Sequence, residues 1–293
     1  MIASRLLTPA TRLLLFLQGV LVLTGGTVRV TESGMGCPTW PECTYDSFTP
    51  VPGQAEGALH AWVEFGNRLL TFVLLFAALA VMVLVILNKR RDLRLLALGQ
   101  IGGIFGQGIL GGITVLTHLN PLSVASHFIL SIVLIAGAHT LVARSHANRI
   151  QAPAKSPLLQ AHMLLTFIAI AVGTLVTGAG PHAGDSDAPR LQIRISTITT
   201  IHGFLVIALI LFTIYGIYKR FPGSREQSQR WLVIFLAVSM AQGLIGYIQY
   251  LNGVPELLVI AHLLGSVLVW IAAWRVRLTQ YYIFKRELKR ETE

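Results

Sequence analysis

Eight apolar stretches of roughly 18 to 25 residues divide the chain, each long enough to cross ~30 Å of hydrocarbon as a helix. They run near Leu13–Val30, Val63–Leu87, Leu95–Leu116, Ser123–Ala143, Leu158–Val176, Ser196–Tyr218, Trp231–Leu251 and Leu257–Trp274. Lipid offers no partner to a peptide group, so each stretch must satisfy its backbone internally and is predicted to be a helix, not an open strand. Composition agrees. Of 293 residues, 54% are hydrophobic and 12% charged, about half the charged share of a water-soluble domain. The expected fold class is an all-α integral membrane protein of eight transmembrane helices.

A net charge of +10 raises the question of nucleic acid, and the distribution of that charge answers it. With the N-terminus inside, the inner segments hold Arg5, Arg12, Lys89, Arg90, Arg91, Arg94, Arg144, Arg149 and Lys155. They also hold Lys219, Arg220, Arg225, Arg230, Arg275, Arg277, Lys285, Arg286, Lys289 and Arg290. That is 19 of the 23 basic residues; Arg29, Arg68, Arg190 and Arg194 fall outside. The bias follows the positive-inside rule and places both termini in the cytoplasm. Short loops between spans do not form the single basic surface that a nucleic acid needs, so no nucleic-acid partner is expected; the lipid bilayer is. The first stretch, preceded by Arg5 and Arg12, also has the flanks of a secretory signal. Its downstream flank matches that of a later span, which favours a retained helix.

Self-similarity organises the chain. The third span carries Gln107-Gly-Ile-Leu-Gly111 and the seventh Gln242-Gly-Leu-Ile-Gly246. Each is followed by a loop with a proline, Pro121 or Pro255, and then by a histidine, His127 or His262, with a serine four places on, Ser131 or Ser266. A weaker match pairs Val30-Thr31 and Gly34 with Val176-Thr177 and Gly180. Two tandem four-helix units are expected, 1–146 and 147–293, related by a pseudo-two-fold axis along the membrane normal. The third span's glycines, Gly99 to Gly112, suit close helix packing, and equally a flat ligand against backbone.

Ionisable groups inside a membrane are costly and usually functional. His127 and His262 open the fourth and eighth spans at their outer ends, and His202 opens the sixth. A lone histidine there reads as an interfacial residue. His202 and His262, at equal depth on alternate helices of one half, read as ligands to one metal centre. No cysteine or carboxylate set accompanies them as zinc or copper would need, and facing imidazoles in a four-helix bundle suit a haem iron. On the second span His60, Glu64 and Asn67 share one helix face. Glu64 reads either as an ion pair with Arg68 one turn on or as a proton acceptor beside a bound substrate. His139, His146 and His162 lie toward the inner side, and His118 and His182 in outer loops. The four outer arginines are candidates for pairing haem propionates. Both cysteines, Cys37 and Cys43, lie in the first outer loop, where a disulfide persists; a structural bridge and a redox dithiol are both open.

Glu64 with Arg68, the outer-end His127, His202 and His262, and the Cys37/Cys43 loop resemble the haem A synthase family, over essentially the whole chain. The resemblance implies a haem b cofactor between His202 and His262 and substrate haem O in the N-terminal half, held by His127. It implies oxidation of the methyl at ring position 8 of haem O to a formyl group, with Glu64 catalytic, and a Cys37–Cys43 disulfide. Implied partners are the haem O synthase (protohaem farnesyltransferase), an electron acceptor, and cytochrome oxidase or its assembly factors, at a bacterial-type plasma membrane. One departure matters. The family pattern on the second helix is Glu-x-x-His-Arg, and here it is Glu64-Phe-Gly-Asn67-Arg68. Either His60 supplies the axial group from two turns earlier, or His127 is the only protein ligand to the substrate iron, or activity is altered. A non-catalytic haem carrier and a di-haem electron-transfer cytochrome are the rival functions.

Topology has a direct test. An alkaline-phosphatase fusion at Gly53 is expected to be active and one at Lys89 inactive; the opposite pattern overturns the orientation.

Overall fold

The computed structural model describes residues 2–54, 57–146, 156–220 and 226–279. Arg149, Lys155, Arg225, Lys285, Arg286, Lys289 and Arg290, counted above among the loop charges, lie outside the described residues. All eight expected spans are helices: α1 Ile2–Val30, α2 Ala58–Leu87, α3 Arg91–Leu116, α4 Pro121–Ser145, α5 Pro157–Ala179, α6 Ile195–Lys219, α7 Glu226–Leu251 and α8 Glu256–Leu278. Each is long and apolar enough to cross a membrane. Many run past the apolar windows, because apolarity ends with the hydrocarbon while a helix ends where its backbone is capped. α4 begins at Pro121, whose missing N–H costs nothing there, and the Asn120 side chain accepts from the Leu122 N–H at 2.9 Å. α1 starts eleven residues before the apolar window and carries Pro9 in its first turns.

Neighbouring helices contact in two rings. α1, α2, α3 and α4 close one ring and α5, α6, α7 and α8 the other; the seam between them is made by α1 with α8, α4 with α5, and α4 with α8. The equivalent helices α3 and α7 have the same length, 26 residues. Diagonal helices within a ring, α2 with α4 and α6 with α8, bring no Cα atoms within 8 Å among the described residues. The centre of each ring is therefore bounded by side chains alone.

The outward faces carry Phe72, Phe76, Leu95, Phe105, Phe204 and Leu211, each at least 59% exposed, a surface stable only against lipid. Since lipid tails are as apolar as leucine, helix association depends on close packing and polar contacts. Gln18 of α1 donates to Gln100 of α3 at 3.1 Å, and Gln100 donates to the Leu134 carbonyl of α4 at 3.0 Å. Across the seam the Trp270 indole of α8 donates to the Ile132 carbonyl at 2.6 Å, and that of Trp274 to the Thr140 hydroxyl at 2.8 Å. Two glycines of α3 are packing positions. A side chain at Gly103 would strike Leu134 of α4, and one at Gly112 would stand 2.6 Å from the Trp40 ring. Gly103→Leu is accordingly expected to cost about 1–3 kcal/mol through overpacking of α3 on α4. A melting temperature equal to wild type in detergent would show that this contact is not close.

Candidate functional site

The starts of the even-numbered helices share one face of the protein, the face of the disulfide loop. Glu64 lies six residues into α2, His127 six into α4, His202 seven into α6 and His262 six into α8. At 1.5 Å per residue all four sit about 10 Å below that face. Glu64 is buried, and the three histidines are half-buried.

The histidines are held by a repeated device. Gln107 of α3 donates its amide to the His127 carbonyl at 3.2 Å and to the Ser131 hydroxyl at 2.7 Å. Gln242 of α7 donates to the His262 carbonyl at 2.7 Å. Each clamp fixes a histidine-bearing turn from the preceding helix. Glycines then make room for the rings: a Cβ at Gly111 would stand 3.4 Å from His127, at Gly246 2.9 Å from His262, and at Gly173 3.2 Å from His202. Sequence reading tied glutamine, glycine and histidine together as a repeat without giving the glycines this role. Only the fold, which sets the ring of one helix on the backbone of its neighbour, reveals it.

Glu64 has become the centre of a network. Its Oε2 accepts from the Cys37 backbone N–H at 2.8 Å, and its Oε1 accepts from Arg68 Nε at 3.1 Å and Nη2 at 2.6 Å. Arg68 in turn donates to the carbonyls of Cys37 at 2.8 Å, Thr39 at 3.1 Å and Glu42 at 3.1 Å. Cys37 and Cys43 form a disulfide, and both are fully buried. The ion pair and the bridged loop are thus one unit, a carboxylate and a guanidinium clasping the loop onto α2. Charge-assisted bonds of this kind are the strong ones.

The other candidates separate. The His60 ring donates from Nδ1 to the Glu32 carbonyl at 3.1 Å, and Asn67 accepts through Oδ1 from the Thr24 hydroxyl at 2.7 Å. His118 is exposed in a loop with φ of 49°, and His182 Nε2 donates to the Val254 carbonyl at 2.8 Å. At the opposite end His162 donates to Thr213 at 3.1 Å, and His139 is buried with neither ring nitrogen partnered among the described residues. Arg29 donates to the His182 and Thr177 carbonyls, and Arg190 to those of Ala188 and Pro181. Those guanidiniums, like Arg68, knit together the loops on the face of the disulfide, and Arg194 is exposed at the start of α6.

His202 and His262 suit a group that ligates through imidazole. Their helices are diagonal across an open ring. Nδ1 of both rings is buried without a hydrogen-bond partner among the described residues. No cluster of three or more metal-ligating side chains occurs among those residues. A macrocycle that brings its own equatorial nitrogens asks the protein for only one or two axial imidazoles.

The clasp makes a prediction. Arg68→Gln leaves a buried carboxylate unpaired and removes three loop contacts, and is expected to cost about 3–5 kcal/mol. The melting temperature should fall, and should recover in part in the Glu64→Gln/Arg68→Gln double variant, which removes the uncompensated charge. No recovery would show that the ion pair is not what holds the loop.

The chain is similar to several named proteins. The chain is 29% identical over 244 residues to the heme A synthase of Exiguobacterium sibiricum, covering 78% of this chain and 80% of that one. It is 26% identical over 307 residues to the heme A synthase of Bradyrhizobium diazoefficiens, covering 84% and 83%. It is 33% identical over 136 residues to the heme A synthase of Lysinibacillus sphaericus, covering 44% of this chain and 42% of the relative's length. The profile of the COX15-CtaA family, described as cytochrome oxidase assembly protein, matches residues 10–274, nearly every helix described above, and the chain belongs to that family.

Proposed function

We propose that this protein is a haem A synthase, an oxidoreductase that converts the C8 methyl of haem O to a formyl group for cytochrome oxidase. The observation that carries the proposal is the common level of Glu64, His127, His202 and His262 inside two helix rings of a family member. The two rings of contacts support a division into an N-terminal half, 1–146, that takes the substrate and a C-terminal half, 147–293, that keeps the cofactor.

In the C-terminal half, His202 and His262 would hold haem b. When bound, that haem supplies one-electron transfer away from the substrate. Gln242 and the ring seats at Gly173 and Gly246 orient the two imidazoles, so binding requires little side-chain reorganisation. In the N-terminal half, His127 would ligate the substrate iron, with Gln107 and Gly111 in the corresponding roles. His60 and Asn67 already have protein partners, so His127 is the protein ligand we assign there.

With water as the oxygen donor, oxidation of –CH3 to –CHO gives up four electrons to the acceptor and four protons, and Glu64 would accept a proton lost in that oxidation. Arg68 occupies Oε1 twice, while Oε2 accepts a single N–H and keeps a lone pair free. The proton is taken at Oε2, and the buried carboxylate stabilises positive charge developing on the substrate. Haem O would come from protohaem farnesyltransferase, electrons would leave to an acceptor, and product would pass to cytochrome oxidase or its assembly factors. The basic loops would face the cytoplasm and the disulfide loop the outside of a bacterial-type plasma membrane.

Co-expression with a haem O synthase, followed by haem extraction and chromatography, tests the proposal. Haem A is expected only when both proteins are present; bound haem O that is never converted would instead mark a carrier. His202→Ala and His262→Ala should each abolish the haem b bands of the purified protein, and two normal low-spin spectra would overturn the ligand assignment. Glu64→Gln should keep haem b and lower haem A by at least about 100-fold, the range for loss of a general base. A maleimide assay controls this variant: cysteines unreactive until reduced show that its loop is still closed. Wild-type haem A from a variant with that loop closed would leave Glu64 with the clasp alone.

A further inference from the structure

The end of the molecule opposite the disulfide loop carries a second feature. At the seam between the two rings, a recess of about 440 Å³ is lined by Phe167 of α5, Thr140 and Arg144 of α4, and Trp270, Trp274 and Arg277 of α8. A neighbouring recess of about 500 Å³ shares Phe167, Trp270, Trp274 and Arg277 with it. The two lie on either side of one ridge, formed by the indoles of α8.

The chemistry of the lining is two-layered. Deeper in, the walls are aromatic and aliphatic, and the polar groups present are used: the Trp270 and Trp274 indoles donate to the Ile132 carbonyl and the Thr140 hydroxyl. At the mouth stand two guanidiniums, since Arg144 is in the last turn of α4 and Arg277 in the last turn of α8. Arg277 lies over the Trp274 ring, 4.8 Å from its centroid, which holds the cation above the ridge. Among the described residues no carboxylate lines either recess. Both arginines cap helices that cross the membrane, so they stand at headgroup level while the recess below stands at hydrocarbon level. A soluble anion would leave the apolar walls unfilled, and a neutral apolar molecule would leave the guanidiniums unmatched.

We propose that this seam is a binding site for an anionic phospholipid, with the phosphate between Arg144 and Arg277 and acyl chains straddling the Trp270–Trp274 ridge. The lipid fills the junction of α4, α5 and α8 and so belongs to the contact between the two halves. This site is separate from the histidine level, near the other ends of the same helices.

The full-length protein in detergent, titrated with phosphatidylglycerol or phosphatidylcholine and followed by native mass spectrometry, tests the site. Wild type is expected to retain phosphatidylglycerol in preference to phosphatidylcholine. At about fivefold per arginine near a membrane surface, Arg144→Gln/Arg277→Gln should lower phosphatidylglycerol retention roughly 30-fold, to the level of phosphatidylcholine. Lys219→Gln/Arg220→Gln, which removes as much charge at the end of α6, should leave the preference intact. Equal retention of the two lipids by wild type overturns the proposal. So does an unchanged preference in the arginine variant, or an equal loss in the α6 variant, which would mean net charge and not a site. Unaltered far-ultraviolet circular dichroism of both variants confirms that the comparison is between folded proteins.

Discussion

A peptide group in hydrocarbon has no solvent to fall back on, and the rest of this structure follows from that. The backbone resolves it within each helix, but the same shortage applies to every side chain that carries chemistry. A glutamine, glutamate or histidine placed among lipid tails must find its partner inside the protein or remain unsatisfied at a cost of several kcal/mol. The buried polar residues are therefore also the joints of the fold. Gln18 and Gln100 tie α1 to α3 and α4, Gln107 and Gln242 tie α3 to α4 and α7 to α8, and two tryptophans tie α8 to α4.

That economy explains why the histidines are set as they are. An imidazole at the start of a helix could turn toward lipid, toward the loop or toward the ring. Clamping its own carbonyl from the neighbouring helix fixes the turn, and a glycine opposite the ring fixes the direction. Glu64 and Arg68 do the same for the disulfide loop. The bridge shortens the loop, and the ion pair holds it over α2 by way of three carbonyls and one amide. On the function we propose, the carboxylate that holds the loop is also the one placed for chemistry, in the same low-dielectric, well-bonded position.

Much of this was legible in the sequence, and the illegible part has a physical cause. Eight spans could be read because the hydrocarbon imposes length and apolarity together; their ends could not, since Pro121 or Pro157 begins a helix outside the apolar window. The repeat exposed Gln107, His127, Gln242 and His262, because equivalent positions in two rings keep equivalent partners. It could not expose the seats at Gly173 and Gly111, which depend on how far one helix slides along another. The sequence kept both readings of Glu64 open, because Arg68 one turn on says nothing of Cys37, a contact made by a loop folding back. His60 was weighed as a ligand from its helix face, and only the folded loop supplies the Glu32 carbonyl that engages it.

The two rings differ most around Asn67. In the C-terminal ring His202 of α6 and His262 of α8 lie at one level, with buried Nδ1 atoms unpartnered among the described residues. In the N-terminal ring His127 stands alone at that level, since Asn67 is bound to Thr24 and His60 to the loop. On the function we propose, this is a division of labour. A bis-imidazole site holds its iron through both axial positions and suits a cofactor that must stay. A site with one protein ligand holds the macrocycle more weakly and leaves the other face open, as a substrate that enters as haem O and leaves as haem A requires. Uniformly tight binding of that substrate would add nothing to the rate of its conversion. The asparagine at position 67 then lowers the hold on the macrocycle without removing the carboxylate one turn before it, which still has Arg68 and Cys37 as partners.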